Sequence, residues 1–477
     1  MVSKTMQNKL WLTIGACLAT AGCSMFTPTA QSVLQDAQKT MGSAKSIQYS
    51  GSGNNPFFGQ ALATGKEWPS RQLANYTHTI NYDQKSGSED LMYAQPVFGG
   101  QHQNTQVSGD KAWTNGPNGP VPQMAAAEAR QLQIWLTPHG FLKGALDSGN
   151  ATLKTDGGNV VTFTALGKFK VSGTIDGQNL VTKVETTIAD PVLGDTPIVT
   201  TYSDYKDFNG VKFPTKILQT QGGFPVWDLT ISSVQANAPA DLAVPEPIQS
   251  ASIPPVKVDT AKLANGVWFL SGGSHHSLVI EFKDYIAVIE GPLSEARSMA
   301  VMEEAKKLVP NKPIKYLLST HHHFDHTGGL RTYVAEGATI VTHQSNVPYF
   351  EKTFQAPATI SPDAQAKNPK PATFQGVTDK YVLTDGTQTI EAYATQGDTH
   401  TDELLVFYLP KSRILVEADS YSPGPPNTPP PSPAPPNAVT LYNNIQRLKL
   451  NVATIAPIHG RGPVPMAEFM KFIAKRS

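Results

Sequence analysis

Four histidines and one aspartate fall within six residues, His321-His322-His323-Phe324-Asp325-His326. They follow the apolar run Ile314–Ser319 and precede Thr327-Gly328-Gly329. An apolar run of that length reads as a buried strand, and the glycines lead into a helix near Gly329–Ala335. In an extended loop, residues two apart point the same way, so His321 and His323 can converge on one cation. Asp325 and His326 can then turn towards a second cation beside it. Imidazole and carboxylate without sulfur suit zinc, with manganese or iron(II) possible. A fold that presents this cluster must place a strand end, a loop and a helix start at one point.

The surrounding pattern supplies such a frame. From Lys257 onwards strands alternate with helices. Strands are expected at Gly266–Leu270, Leu278–Phe282, Tyr285–Glu290, Thr339–Thr342, Thr389–Ala394, Leu404–Leu409, Arg413–Glu417 and Ala453–Ala456. Helices are expected at Ser294–Val309, Ala438–Leu448 and Met466–Ala474. Hairpins followed by strand–helix alternation predict a layered α/β/β/α sandwich.

The cluster resembles the H-x-H-x-D-H motif of the metallo-β-lactamase-fold hydrolases, and the family's remaining stations follow in order. Gly397-Asp398-Thr399-His400-Thr401 precedes a strand, Glu417-Ala418-Asp419 ends one, and Ala456-Pro457-Ile458-His459-Gly460 ends the last. The resemblance implies one cation held by His321, His323 and His400, a second by Asp325, His326 and His459, and Asp419 between them. The implied cofactor is two zinc ions. His322 and Phe324 are expected to pack or point outwards. Glu290 stands where the family often has an aspartate, and its longer arm can reach a ligand histidine and set its tautomer.

The same resemblance implies a hydrolase, in which a hydroxide between the cations attacks an ester or lactone carbonyl and a proton reaches the leaving group from Asp325 or through water. β-Lactam-hydrolysing members generally lack the bridging aspartate, whereas lactonases, thioesterases and phosphodiesterases generally have it. Asp419 therefore ranks phosphodiesters or sulfate esters second and β-lactams third. A mononuclear iron persulfide oxygenase is the alternative on this fold. Among substrate contacts, His276, with His275 beside it in a turn, is expected to overhang the cations, and Tyr421 to donate a hydrogen bond. Ser422–Pro436, with nine prolines, is expected to form a stiff rim.

The first half reads differently. A helix at Gln31–Ala44 precedes short alternating segments at Ser46–Ser50, Leu91–Tyr93, Asn159–Thr164, Lys168–Ile175, Leu180–Ile188, Ile198–Tyr205, Val211–Leu218 and Trp227–Val234. Asn209-Gly210 suits a tight hairpin turn, since both residues tolerate positive φ. The last of these segments resemble the closing strands of periplasmic lipoprotein-carrier domains, which are curved half-barrels. A plain scaffold or docking role is preferred over lipid carriage, which stays as the alternative. The fold class is thus α+β, with an antiparallel β domain over 24–245, a Pro- and Ala-rich linker over 246–256 and the metal domain over 257–477.

Lys4 and Lys9, the apolar run Leu10–Leu18 and the small residues up to Cys23 read as an export signal over 1–23, too short for a membrane span of ~20 residues. Thr20-Ala21-Gly22-Cys23 resembles a lipoprotein signal box, which implies acylation of Cys23 and an outer-membrane location. Ordinary cleavage after Ala21 leads to the periplasm instead. Cys17 and Cys23 are the two cysteines, so the mature chain has no disulfide. Lys+Arg and Asp+Glu are both 38, which argues against a broad polyanion-binding surface. The expected partner is a small-molecule substrate and not nucleic acid, with a membrane reached only through Cys23 and the oligomeric state left open.

Overall fold

The computed structural model describes Met1, residues 27–97 and residues 100–474. The export signal and Cys23 lie outside the described residues. Among the described residues, no helix is long and apolar enough to cross a membrane. The first helix, Ala30–Met41, starts where Thr29 and Ser32 exchange side-chain and backbone hydrogen bonds in a capping box. It buries Val33, Leu34, Ala37 and Met41 along one face. It stops short of the expected end at Ala44 because Gly42 takes φ +82, where a Cβ would meet the Gly210 carbonyl oxygen at 2.3 Å.

Among the described residues, thirteen strands between Ser46 and Ala236 form one antiparallel sheet. Its first strand, Ser46–Asn54, pairs with its last, Phe224–Ala236, and two meanders run outwards from that seam. The alternation is plain in Phe169–Ile175, where Phe169, Val171, Gly173 and Ile175 are buried and Lys170 is exposed. The Asn209-Gly210 turn forms as expected, with φ +57 and +88 and Phe208 paired with Val211. Two helices that the sequence pattern does not announce, Ala127–Trp135 and Pro138–Asp147, join the first one and bury Ile134, Phe141 and Leu142 against the sheet.

Between the last strand of this sheet and Asp259 lies one short helix, Glu246–Gln249, with Ile248 buried. The C-terminal half then builds two sheets. The seven-stranded one runs Asp259–Ala264, Val267–Ser271, Ser277–Glu281, Ile286–Ile289, Ile314–Leu318, Thr339–His343 and Thr373–Val377. The six-stranded one runs Lys380–Thr384, Thr389–Ala394, Leu405–Leu409, Ile414–Glu417, Thr454–Pro457 and Val464–Pro465.

Leu278, Ile280, Ile289 and Leu318 of the first sheet share a core with Ile390, Phe407, Val416 and Ala456 of the second. The alternate residues Val279, Val288 and Leu317 pack outwards on the helices Glu295–Leu308 and Leu330–Glu336. Val406, Leu415 and Ile455 pack outwards on Pro436–Arg447 and Met466–Ile473. Both faces of each central strand are therefore buried, which is why these strands read as unbroken apolar runs. Truncating a fully buried ring such as Phe407 to alanine costs about 3–5 kcal/mol. The sandwich matters here because the ends of its central strands open onto one edge.

Candidate metal centre

The strand Ile314–Leu318 delivers Ser319–His323 as a loop, and a single turn, Phe324–Thr327, carries Asp325 and His326. His321, His323 and His400 each offer a ring nitrogen, all within 4.8 Å of one another. Two of these rings are held from behind. Thr320 Oγ1 lies 3.0 Å from His321 Nδ1, and the Ala61 carbonyl accepts from His323 Nε2 at 2.9 Å. His321 Nε2, His323 Nδ1 and His400 Nε2 are buried without a hydrogen-bond partner. Three orphaned imidazole nitrogens facing one point are costly unless a cation sits there.

A second group lies beside the first. His275, Asp325, His326 and His459 also bring ligand atoms within 4.8 Å of one another. Asp419 stands between the groups, with Oδ2 2.8 Å from His326 Nε2 and 3.6 Å from both His321 Nε2 and His400 Nε2. Its Oδ1 is 3.2 Å from His459 Nε2. Donors of nitrogen and oxygen alone, in two adjoining sets that share a carboxylate, fit a pair of zinc-like divalent cations.

The protonation states agree with that fit. Burial, with His326 and His323 nearby, holds His321 well below the ordinary histidine range. Burial beside His400 pushes His323 down to about 3. Both are neutral near pH 7, the form that ligates metal. Burial opposes ionisation of Asp325 and Asp419, but the adjacent histidines outweigh it and hold both carboxyls below their usual range. Burial likewise opposes charge on His326, yet Asp419 and Glu290 lift it well above the ordinary value. A cation at this point would replace that proton as the counter-charge.

Glu290 does reach a ligand histidine. It is fully buried, and its carboxylate accepts from His326 Nδ1 at 2.8 Å and from Thr320 N at 2.7 Å. The proton on Nδ1 would leave His326 Nε2 to face a cation. Glu290 and Asp419 both sit on left-handed backbone, at φ +70 and +60. Those bends turn the two carboxylates out of their strands.

Two expected substrate contacts are placed elsewhere. His276 is buried, with Nε2 2.7 Å from the Gly460 carbonyl and its backbone N–H donating to Ile458 O at 2.9 Å. It pins the loop that carries His459 and does not face the two donor sets. Its neighbour His275 does, with Nε2 3.1 Å from Asp325 Oδ2. The Tyr421 ring packs between Phe469 and Phe472 at 4.9 and 4.8 Å, in the outer helix layer. Its backbone N–H donates to Glu417 Oε2, whose carboxyl burial pushes up to about 8. His322 packs inwards on Glu403, both buried. The proline-rich segment does border the site, since Pro423 O accepts from Arg461 N just beyond His459. Gln60 and Ala61, which also reach the centre, carry no signal in the sequence.

Residues 270–459 match the family model of the metallo-beta-lactamase superfamily. The C-terminal half of the chain is therefore a metallo-beta-lactamase superfamily domain. A curated relative, the 2,4-dinitroanisole O-demethylase subunit alpha of Nocardioides sp. (strain JS1661), is 26% identical over 166 residues, which are 35% of this chain and 47% of that protein. The chain thus spans about half the length of the curated relative it matches. Similar solved structures include a metallo-beta-lactamase from Pontibacter korlensis, 17% identical over 46% of this chain and 97% of that one, with a TM-score of 0.33. One from Hirschia baltica is 18% identical over 45% of this chain and 96% of that one, also with a TM-score of 0.33.

Proposed function

We propose that this chain is an exported dinuclear zinc hydrolase acting on an ester or lactone. The observation that carries the reading is the pair of donor sets joined through Asp419. His321, His323 and His400 would hold one cation, Asp325, His326 and His459 the other, with Asp419 shared. Bound there, two divalent cations supply a Lewis acid and a source of nucleophilic water at neutral pH. Glu290 sets the His326 tautomer. Asp325 Oδ2 lies 3.1 Å from His275 Nε2, so the pair would pass a proton to a leaving alkoxide. Asp419 favours ester or lactone over phosphodiester or sulfate ester, and those over β-lactam. Export rests on the signal-like residues 1–23, and an acyl anchor on Cys23.

The test is hydrolysis by purified protein of measured metal content. The panel holds esters, lactones, phosphodiesters, sulfate esters, a β-lactam and 2,4-dinitroanisole, the compound in the relative's name. His321→Ala and Asp419→Ala serve as controls. Ester or lactone turnover that vanishes with a chelator and returns with zinc supports the reading. A single iron with sulfur-dependent oxygen uptake replaces it with the persulfide oxygenase. Co-purified acyl lipid, with function kept in His321→Ala, moves the function to the β domain. Unchanged labelling of Cys23→Ser by a palmitate analogue rejects the lipid anchor.

A further inference from the structure

Residues 55–71 join the first two strands of the N-terminal sheet and reach across to the metal centre. Four consecutive residues of this loop each make a hydrogen bond to a loop that bears candidate ligands. The Gly59 carbonyl accepts from Phe324 N at 3.3 Å, and Gln60 Nε2 donates to Asp325 Oδ1 at 2.8 Å. The Ala61 carbonyl accepts from His323 Nε2 at 2.9 Å, and the Leu62 carbonyl from Asp402 N at 2.9 Å. Phe324, the aromatic residue inside the histidine cluster, meets Phe58 edge-on at 5.1 Å, and Trp68 behind it stacks on Phe224 at 4.8 Å. Gly59 has φ +71, and a Cβ there would lie 2.5 Å from Phe324 Cγ. Only glycine permits so close an approach.

Each bond acts on a specific feature of the site. A histidine ring that donates from Nε2 has its lone pair on Nδ1, so the Ala61 carbonyl selects the tautomer that presents His323 Nδ1 inwards. The Gln60 amide occupies Asp325 Oδ1 and leaves Oδ2 towards His275 and the second donor set. An amide does this at any pH, because it does not titrate.

We propose that Gly59–Leu62 is a positioning strap by which the N-terminal domain completes the metal centre, with Gln60 setting Asp325 and Ala61 setting His323. The proposal rests on the metal-centre reading for its consequence, though not for its geometry. The β domain is then part of the catalytic unit and not a mere tether.

The test uses the full chain. Stepwise cobalt(II) titration, followed by visible absorbance, should show two steps in the wild type. Gln60→Ala loses a hydrogen bond to a charged group, so the second step should weaken about tenfold while the first step holds and the thermal midpoint falls by no more than about 4 °C. Selective 15N-histidine spectra of the metal-free protein read the His323 tautomer directly. Wild type should show the Nε2–H form, and Gly59→Ala, which pushes the strap off Phe324, should give a mixture. Superimposable cobalt titrations for Gln60→Ala and wild type overturn the role of Gln60. A pure Nε2–H form in folded Gly59→Ala overturns the role of Ala61. Should wild type bind no cobalt, the hydrolase reading falls, and the imidazole spectra still decide the strap.

Discussion

Glu290→Gln is the sharpest probe of how the second donor set is held. The fold points two N–H donors at this buried side chain, Thr320 N at 2.7 Å and His326 Nδ1 at 2.8 Å. A carboxylate accepts both. An amide of the same size offers one acceptor and one donor group. If its oxygen stays on Thr320, its NH2 faces Nδ1 and drives the His326 proton to Nε2, the atom that would ligate. If its oxygen turns to His326, the Thr320 N–H is orphaned at the start of the ligand loop. Either arrangement leaves a buried polar group mismatched, at about 1–3 kcal/mol. A change of that size corresponds to about a tenfold to hundredfold loss of affinity, as for other groups that orient metal ligands. Competition with a chromophoric zinc chelator would read it: two tight zinc ions in the wild type, one tight and one weakened in Glu290→Gln. Retention of both sites at wild-type affinity would refute the reasoning.

His323→Ala and Asp419→Ala should each lose bound zinc and nearly all turnover; wild-type zinc content in either, by elemental analysis, refutes the ligand assignment. Sequence alone makes His322→Ala mild, but its removal strands the buried Glu403 carboxyl, so a stability loss of about 3 kcal/mol is expected by denaturant unfolding. His139 predicts a pH dependence. Burial pushes it down to about 4, so the folded chain keeps it neutral while the unfolded chain takes up a proton near its ordinary value of about 6.5. Its contribution is complete above about pH 6.5 and is lost as pH falls towards 4, to a total of about 3 kcal/mol. Urea unfolding of His139→Gln should show a flatter acid limb than wild type, and an equally steep one rejects the cause.

The central strands of the C-terminal sandwich are legible in the sequence because both their faces are buried, which leaves unmistakable apolar runs such as Leu405–Leu409. The N-terminal sheet is legible only in part. Gln72–Asn81 buries Leu73, Tyr76, His78 and Ile80, but its asparagines and threonines hide the pattern. Pro138–Asp147 carries two glycines, and its helix depends on the Thr137 cap and on Phe141 and Leu142 packing into the core. The four stretches that bring the candidate ligands to the metal centre are legible from residue type and order. Which of His275 and His276 faces them is not, because it is decided by the bond from His276 N to Ile458, a residue on the last central strand's exit. The strap is invisible for the same reason: its 59–62 segment gains meaning only from partners more than 260 positions away.

The bends at Glu290 and Asp419 have an evolutionary consequence. A side chain in the left-handed region costs about 1–2 kcal/mol relative to glycine, so the backbone alone would be relieved by glycine at either position. That relief is outweighed, because glycine at 290 would leave the buried Thr320 N–H and His326 Nδ1–H without an acceptor, at about 1–3 kcal/mol each, and glycine at 419 would take the carboxylate from beside His326. Even selection for heat resistance alone should therefore keep the two acids, since here durability and activity pull in the same direction.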